Sequence, residues 1–395
     1  MNIRTLVELY DDECPLENVL GAEVFRPEQV VYICPADTPE EVAGQMRDYF
    51  AHRELQVRVR LVRVNPYRVR DVLGVFRGLL KDNRDVMVDI TGGTDDVLFA
   101  AGIACSEYKT PVVTYSKRKN RFFSVQNAEE FDDLLCDRVF TVDDCFRMAG
   151  GTVRMGRVDN RLLSKYMDLF DPFFSLYMRY RSHWDRTVSY IQRLSAADAE
   201  GRYSLDAEGP WEVKGERGSR LIAPAEALRD METIGMIQHL KMDPQSGVSF
   251  RFRDAQIRTW LRDVGSVLEL YTYKACFDSG LFDDVRTSTV VDWQRENPSR
   301  GAVSNELDVM CTRRITPVFI SCKTCMIHTE ALNELAVLRD RFGGKLARAA
   351  IVSTANALPA ARNRAAELNI RVIDLSDLRD GGIHLAIRQL MKGLL

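Results

Sequence analysis

Hydrophobic and polar positions alternate in two separate stretches of the chain with the rhythm of strands followed by helices. Apolar runs at 3–9 (IRTLVEL) and 29–34 (QVVYIC) predict strands, and DTPEEVAGQMRDYFAHR behind the second predicts a helix opening at Asp37. The pattern repeats with strands VRVRLVRV (57–64) and DVMVDI (85–90), followed by the helical segments PYRVRDVLGVFRGLLKD and DVLFAAGIACSEY. Such alternation implies parallel pairing in an open α/β sheet. PVVTYS and RFFSV flank KRKN, a hairpin signature that finishes the sheet, so the first unit is expected to end near 145.

The middle of the chain carries a different pattern. Over 159–195, Tyr166, Phe170, Phe173 and Tyr177 recur at helical spacing and predict core helices. A Gly-, Ala- and charge-rich stretch at 196–220 reads as linker. Helix 224–234 and the pair GMIQHLKM and GVSFRF, joined by DPQS, suggest either a winged-helix-like unit or, as the preferred reading, a spacer. From 254 a second α/β pattern begins with a long helix to about 278. Strands TSTVVDWQ, NELDVMCT and ITPVFISCK follow, then helix 329–342, strand ARAAIVS, helix 359–367 and strand IRVIDL. The expected organisation is α/β, with units at 1–145 and 253–395 and a helical or linker segment at 146–252.

Composition narrows the class. Hydrophobic residues make up 46% and charged residues 28% of 395 residues, the balance of a globular protein. With 54 Lys and Arg against 57 Asp and Glu, any basic surface has to be local. The N-terminus lacks the pattern of a secretory signal, no apolar run approaches ~20 residues, and nine cysteines follow no framework spacing. A cytoplasmic protein without membrane contact is expected. Cys322 and Cys325 form a single CxxC, too weak a signal for zinc or redox chemistry.

Two places carry candidate chemistry. In the first unit, strand VMVDI runs through Thr91-Gly92-Gly93-Thr94 directly into a helix, at the carboxyl end of a buried strand where open α/β sheets bind ligands. Glycines admit a phosphate or ribose, hydroxyls can donate, and a helix N-terminus offers free amides; a ligand-free tight turn explains the same residues equally well. A second loop, Tyr10 to Pro15 leading to Asn18, lies at the same sheet edge. Asn18 has the groups to read an adenine edge, whereas Asp12 and Glu13 would repel phosphate and suit ribose hydroxyls or a helix N-terminus. Lys117, Arg118, Lys119 and Arg121 form a basic cluster at the hairpin tip, open either to solvent or to phosphate.

LVELYDDECPLENVL, VMVDITGGTDDVLFAAG and VVTYSKRKNRFFSV together resemble a CARF domain, the CRISPR-associated Rossmann fold that senses cyclic oligoadenylates, over about the first 145 residues. The resemblance implies ligand loops around Glu13 to Asn18 and at Thr91 to Thr94. It also implies a homodimer holding a ring, tetra-adenylate being the expected size, across its two-fold axis.

In the C-terminal unit, Asp308 on NELDVM and Lys323 on PVFISCK are expected side by side on adjacent antiparallel strands, joined by a turn near Arg313 and Arg314. Glu269 in GSVLELYTY is positioned to complete the cluster. Two carboxylates and a lysine suit phosphodiester hydrolysis with Mg2+ or Mn2+; ordinary surface charges are the alternative. This order resembles the PD-(D/E)xK nucleases, specifically the CARF-fused enzymes of type III CRISPR immunity, over about 254–376. Ser321 stands where that family has an acidic residue, and Glu306 or Asp292 is the candidate replacement. The resemblance implies a metal-dependent endonuclease acting on single-stranded DNA, supercoiled DNA or RNA. A ring-sensing transcriptional regulator with an inactive nuclease fold is the alternative, although helix 224–234 sets Glu226, Asp230 and Glu232 against Arg229.

Overall fold

The structure is a computed structural model that describes residues 3–81, 85–198, 200–215, 218–292 and 304–393. In the N-terminal unit β1 (Thr5–Leu9), β2 (Gln29–Pro35), β3 (Arg58–Val64), β4 (Val86–Asp89) and β5 (Val112–Ser116) pair in parallel. β6 (Arg121–Gln126) and β7 (Leu134–Leu135) extend the sheet antiparallel, as the hairpin signature predicts. The order is β3-β2-β1-β4-β5-β6-β7. Successive residues of the central strands are buried in two different cores. Leu6, Val30 and Met87 face one core, with α1 (Glu17–Phe25) and α2 (Glu41–His52). Val7, Val31 and Val88 face the other, with α3 (Val69–Leu80) and α4 (Asp95–Tyr108). Both faces being covered explains why these strands read as apolar runs. α2 starts at Glu41 rather than Asp37, because Pro39 biases the preceding residue away from helical geometry and the chain first turns through Thr38 N to Pro35 O at 3.1 Å.

The middle segment, read above as helix and linker, is woven into the second unit. After α5 (Val142–Met148), β8 (Thr152–Met155) becomes the edge strand of the C-terminal sheet. α6 (Met167–Tyr180) and α7 (Trp184–Leu194) bury Phe170, Phe173, Tyr177 and Trp184 in that unit's core. β9 (Asp206–Gly209), β10 (Glu212–Lys214) and β11 (Arg220–Ile222) precede α8 (Ala225–Thr233), β12 (Ile237–Asp243) and β13 (Gly247–Phe252); β12, β13 and β9 form a small antiparallel sheet. The long helix expected from 254 is two helices, α9 (Ala255–Leu261) and α10 (Ser266–Asp278). They break where Asp263 accepts from the Ser266 amide at 2.8 Å.

β14 (Asp284–Asp292), β15 (Ser304–Arg313), β16 (Thr316–Lys323), β17 (Arg348–Ser353) and β18 (Ile370–Ile373) complete the second sheet, in order β18-β17-β16-β15-β14-β8. Trp293 and Gln294 of the expected third-unit strand lie outside the described residues. α11 (Thr329–Gly343) packs on β16 and β17 through Leu332, Leu335 and Phe342. The two units share a core through α5: Phe146 lies edge-on to Phe342 at 4.9 Å and to Phe319 at 6.5 Å. The Thr312 hydroxyl donates to Phe140 O at 2.6 Å. Among the described residues, no helix is long and apolar enough to cross a membrane.

Candidate active site

The β15–β16 ladder runs from Arg313↔Thr316 to Val309↔Ile320 and stops there. Where it stops, the strands open around Asp308. The Cys322 amide donates to Asp308 Oδ2 at 2.6 Å, the Ser321 hydroxyl donates to the same oxygen at 3.1 Å, and Lys323 Nζ stands 3.9 Å from it. All three contacts fall on Oδ2, which leaves Oδ1, among the described residues, available to a cation. Lys323 keeps 37% of its side chain exposed, so its ammonium is reachable from solvent. Glu269 on α10 is only 4% exposed. Burial first, and then the charge of Asp308, pushes its carboxyl up to about 8. Asp308 is also raised by burial, with Lys323 and the Cys322 and Ser321 donors opposing the shift. The expected trio therefore comes together, and Ser321 acts as a donor to the aspartate rather than as a ligand.

Of the two candidate replacements for the missing acid, Glu306 joins the cluster and Asp292 does not. Glu306 lines the same cleft as Asp308, Ser321 and Lys323, with Glu334 and Leu338 of α11 closing its other wall. Asp292 instead pairs with Arg154 at 2.9 Å, on the β14–β8 edge. Sequence reading missed two further members, Arg157 and Asp263. Arg157, in the turn after β8, contacts Glu306 Oε1 at 3.1 Å, Glu269 Oε1 at 3.5 Å and Asp263. No spacing signal joins Arg157 to Glu306, because they are 149 positions apart. Of the CxxC pair, Cys322 is buried against Thr272 and Cys325 is exposed.

The chain order of the first sheet reverses between β1 and β4, and the Thr91–Thr94 turn lies outside the carboxyl end of β4. Gly92 is required by packing, since any Cβ would meet the Leu9 carbonyl oxygen, and Gly93 has φ +86. Thr91 accepts from Tyr115 N at 2.8 Å and donates to Asp89, so its hydroxyl holds the turn together. Thr94 is exposed and stands at the N-terminus of α4 with no side-chain cap.

The other loop is arranged differently from the expectation. Asn18 is 3% exposed and its amide binds Asp11, accepting from Asp11 N at 2.8 Å and donating to Asp11 O at 2.6 Å, which shapes the loop and leaves no free edge for a base. The Glu13 carboxylate pairs with Lys345 and its carbonyl accepts from Lys345 N at 2.8 Å, so Glu13 joins the two units. Lys117 binds the buried Glu17 at 2.9 Å with its side chain 38% exposed.

Residues 258–390 match the Card1-like endonuclease domain. That segment is about a third of the chain and contains Glu269, Glu306, Asp308 and Lys323. No curated protein matches the sequence. Among solved structures, protein VC1899 from Vibrio cholerae is similar at TM-score 0.74 and 18% identity, covering 99% of this chain and 98% of that one. Can2 from Sulfobacillus thermosulfidooxidans, solved with cyclic tetra-adenylate, is similar at TM-score 0.69 and 18% identity over 99% and 98%. A type III CRISPR defence DNA nuclease activated by cyclic oligoadenylate is similar at TM-score 0.51 and 14% identity; this chain is covered to 99% and spans 52% of that one. The two-unit fold is thus shared almost end to end, and the segment that matches the endonuclease model carries the open strands and the acidic cluster.

Proposed function

We propose that the protein is a metal-dependent endonuclease switched on by a cyclic oligoadenylate in type III CRISPR defence. The observation that carries the reading is the convergence of Asp308, Lys323 and Glu269 at the open end of the β15–β16 ladder, inside a segment matching an endonuclease domain. The full-length likeness to a cyclic tetra-adenylate-bound protein supports that ring as activator.

Glu269 and Asp308 fit a hard divalent cation, Mn2+ or Mg2+, because both are oxygen donors and Asp308 retains Oδ1. Such a cation, when bound, supplies positive charge at the scissile phosphate and lowers the pKa of a water. The Ser321 and Cys322 donors hold the Asp308 carboxylate in one orientation. Lys323 stands beside it to orient the attacking water and to stabilise charge developing on the phosphoryl oxygens. Glu269 has to lose its proton to serve as a ligand, and cation charge drives that loss. The cluster addresses phosphate rather than sugar, so single-stranded DNA, supercoiled DNA and RNA are all candidate substrates.

In the sensor the ring is read as binding at Thr91–Thr94, with Thr94 and the free amides of α4 meeting phosphate or ribose. A homodimer would set two such turns about one symmetric ring. Binding acts on the nuclease only so far as the ring prefers the cutting-competent conformation. The contact from Glu13 to Gly344 and Lys345, at the end of α11, joins the Asp11–Pro15 loop to the helix that walls the catalytic cleft.

The test is cleavage of labelled single-stranded DNA, RNA and supercoiled plasmid with Mn2+ or Mg2+, with and without cyclic tetra-adenylate. Ring-dependent cutting that disappears in Asp308→Ala and Lys323→Ala is the expected result. Ring binding without any cutting would leave a sensor with an inactive nuclease fold.

A further inference from the structure

Arg157 lies outside the trio of residues to which the sequence points, yet its side chain touches three carboxylates of that cluster. The backbone that delivers it is built for the purpose. Gly156 N donates to Ser288 O at 2.9 Å, Arg157 N donates to Ser288 Oγ at 2.9 Å, and that hydroxyl donates onward to Glu306 Oε1 at 2.7 Å. Ser288 itself adopts φ +48, and any Cβ at position 156 would collide with the Ser288 carbonyl oxygen. The lock fixes the turn after β8 against β14 and aims the guanidinium at Glu306, Glu269 and Asp263. The side chain is nevertheless 42% exposed, so it has a way out to solvent that the buried Glu269 lacks.

We infer that Arg157 is an internal counter-ion of the catalytic cluster, competing with a divalent cation for Glu269 and Glu306. Several acidic groups gathered around one buried carboxylate repel one another unless positive charge stands among them. Lys323 reaches Asp308; Arg157 serves the other side of the cluster. A cation that takes Glu269 Oε1 meets the guanidinium on the same oxygen, 3.5 Å away, and two positive charges on one oxygen repel each other. Arg157 is therefore a positioning residue, keeping the ligand carboxylates gathered and leaving Glu269 as a cation enters. The inference rests on the nuclease reading for the identity of the cation, whereas the competition is a property of binding.

The test uses full-length protein and reads Mn2+ directly, as free-ion electron paramagnetic resonance during titration at alkaline pH, where the carboxylates are ionised. Arg157→Gln, confirmed folded by its melting curve, should bind Mn2+ about tenfold more tightly than wild type, with Arg157→Lys close to wild type. Equal or weaker binding by folded Arg157→Gln would show that the guanidinium is only a strut and overturn the inference. Should Arg157→Gln not fold, wild-type crystals grown with Mn2+ decide. A guanidinium withdrawn from Glu269 supports the competition, and Mn2+ on Glu269 with the guanidinium still in place refutes it. A wild type that binds Mn2+ but cuts no nucleic acid would end the nuclease reading and leave this titration fully interpretable.

Discussion

Each unit of the molecule gathers acidic side chains around an internal cation, and the two gatherings behave differently. In the N-terminal unit, Asp11, Cys14 and Glu17 bring ligand-type atoms within 4.8 Å of one another, a spread that one metal ion could span, but the ammonium of Lys117 already sits on Glu17. Beneath them Glu8 and Asp89 are paired across adjacent strands and sealed under Gly21 of α1. Burial raises Glu17 to about 7 and Asp89 to about 6. In the C-terminal unit the acids sit where two strands part, Lys323 and Arg157 remain partly exposed, and a cleft walled by α11 leads in. Buried carboxylates with raised pKa values are thus common to both. Access, and a lysine across open strands, distinguishes the C-terminal cluster.

The sharpest way to break that comparison is to remove the groups unique to the second cluster. Asp308→Ala and Lys323→Ala should each lower cutting at least ~100-fold while ring binding is retained, as read by cleavage assays alongside calorimetric ring titration. Cutting that survives either change would put the chemistry elsewhere. Gly92→Ala attacks the sensor instead. Its methyl has no room beside the Leu9 carbonyl, so destabilisation of ~1–3 kcal/mol and weakened ring binding are expected from denaturant melts and the same titration.

Three smaller effects sharpen the contrast. Ser321→Asp restores an acid beside Asp308 and should tighten Mn2+ binding roughly tenfold, whereas the same titration on a change at Asp292, tied up by Arg154, should show nothing comparable. Lys345→Ala removes an exposed partner of Glu13, so the melting temperature should hardly move, but the ring's activation of cutting should fall about fivefold if this contact transmits the signal. The pH dependence has a definite sign. Because Glu269 is raised in the folded protein to about 8, its contribution is present below its unfolded pKa and is lost as pH rises through the window up to about 8. The metal-free protein should therefore lose melting temperature across that window. Asp308→Asn, by removing the neighbouring charge, should flatten the loss. Glu17 titrates in the same range in both proteins, so the difference between them isolates the Glu269–Asp308 pair.

How far these features were legible depended on how local they are. The strands of both sheets announce themselves by alternation or by continuous apolar runs, and Asp308 and Lys323 are close in sequence across a turn at Arg314, where φ is +53. The Thr91–Thr94 turn is legible for the same reason, since two glycines follow a buried strand. The chemistry of Glu13 and Asn18 suits a ligand, but the partners they hold here, Lys345 and the Asp11 backbone, are set by packing between units and by the fold of a short loop, which no spacing announces. β8 and Arg157 were illegible because an edge strand contributed from before the long middle segment leaves no periodic mark near its partner β14.

Ring occupancy of the N-terminal unit and cutting by the C-terminal unit are expected to be one linked event. The most direct measurement follows ring occupancy and the rate of substrate cleavage in the same wild-type sample as cyclic tetra-adenylate is titrated, with Asp308→Ala as the control that binds without cutting. Coincident curves for occupancy and rate are the predicted result. A rate that ignores the ring while the ring binds would contradict the account.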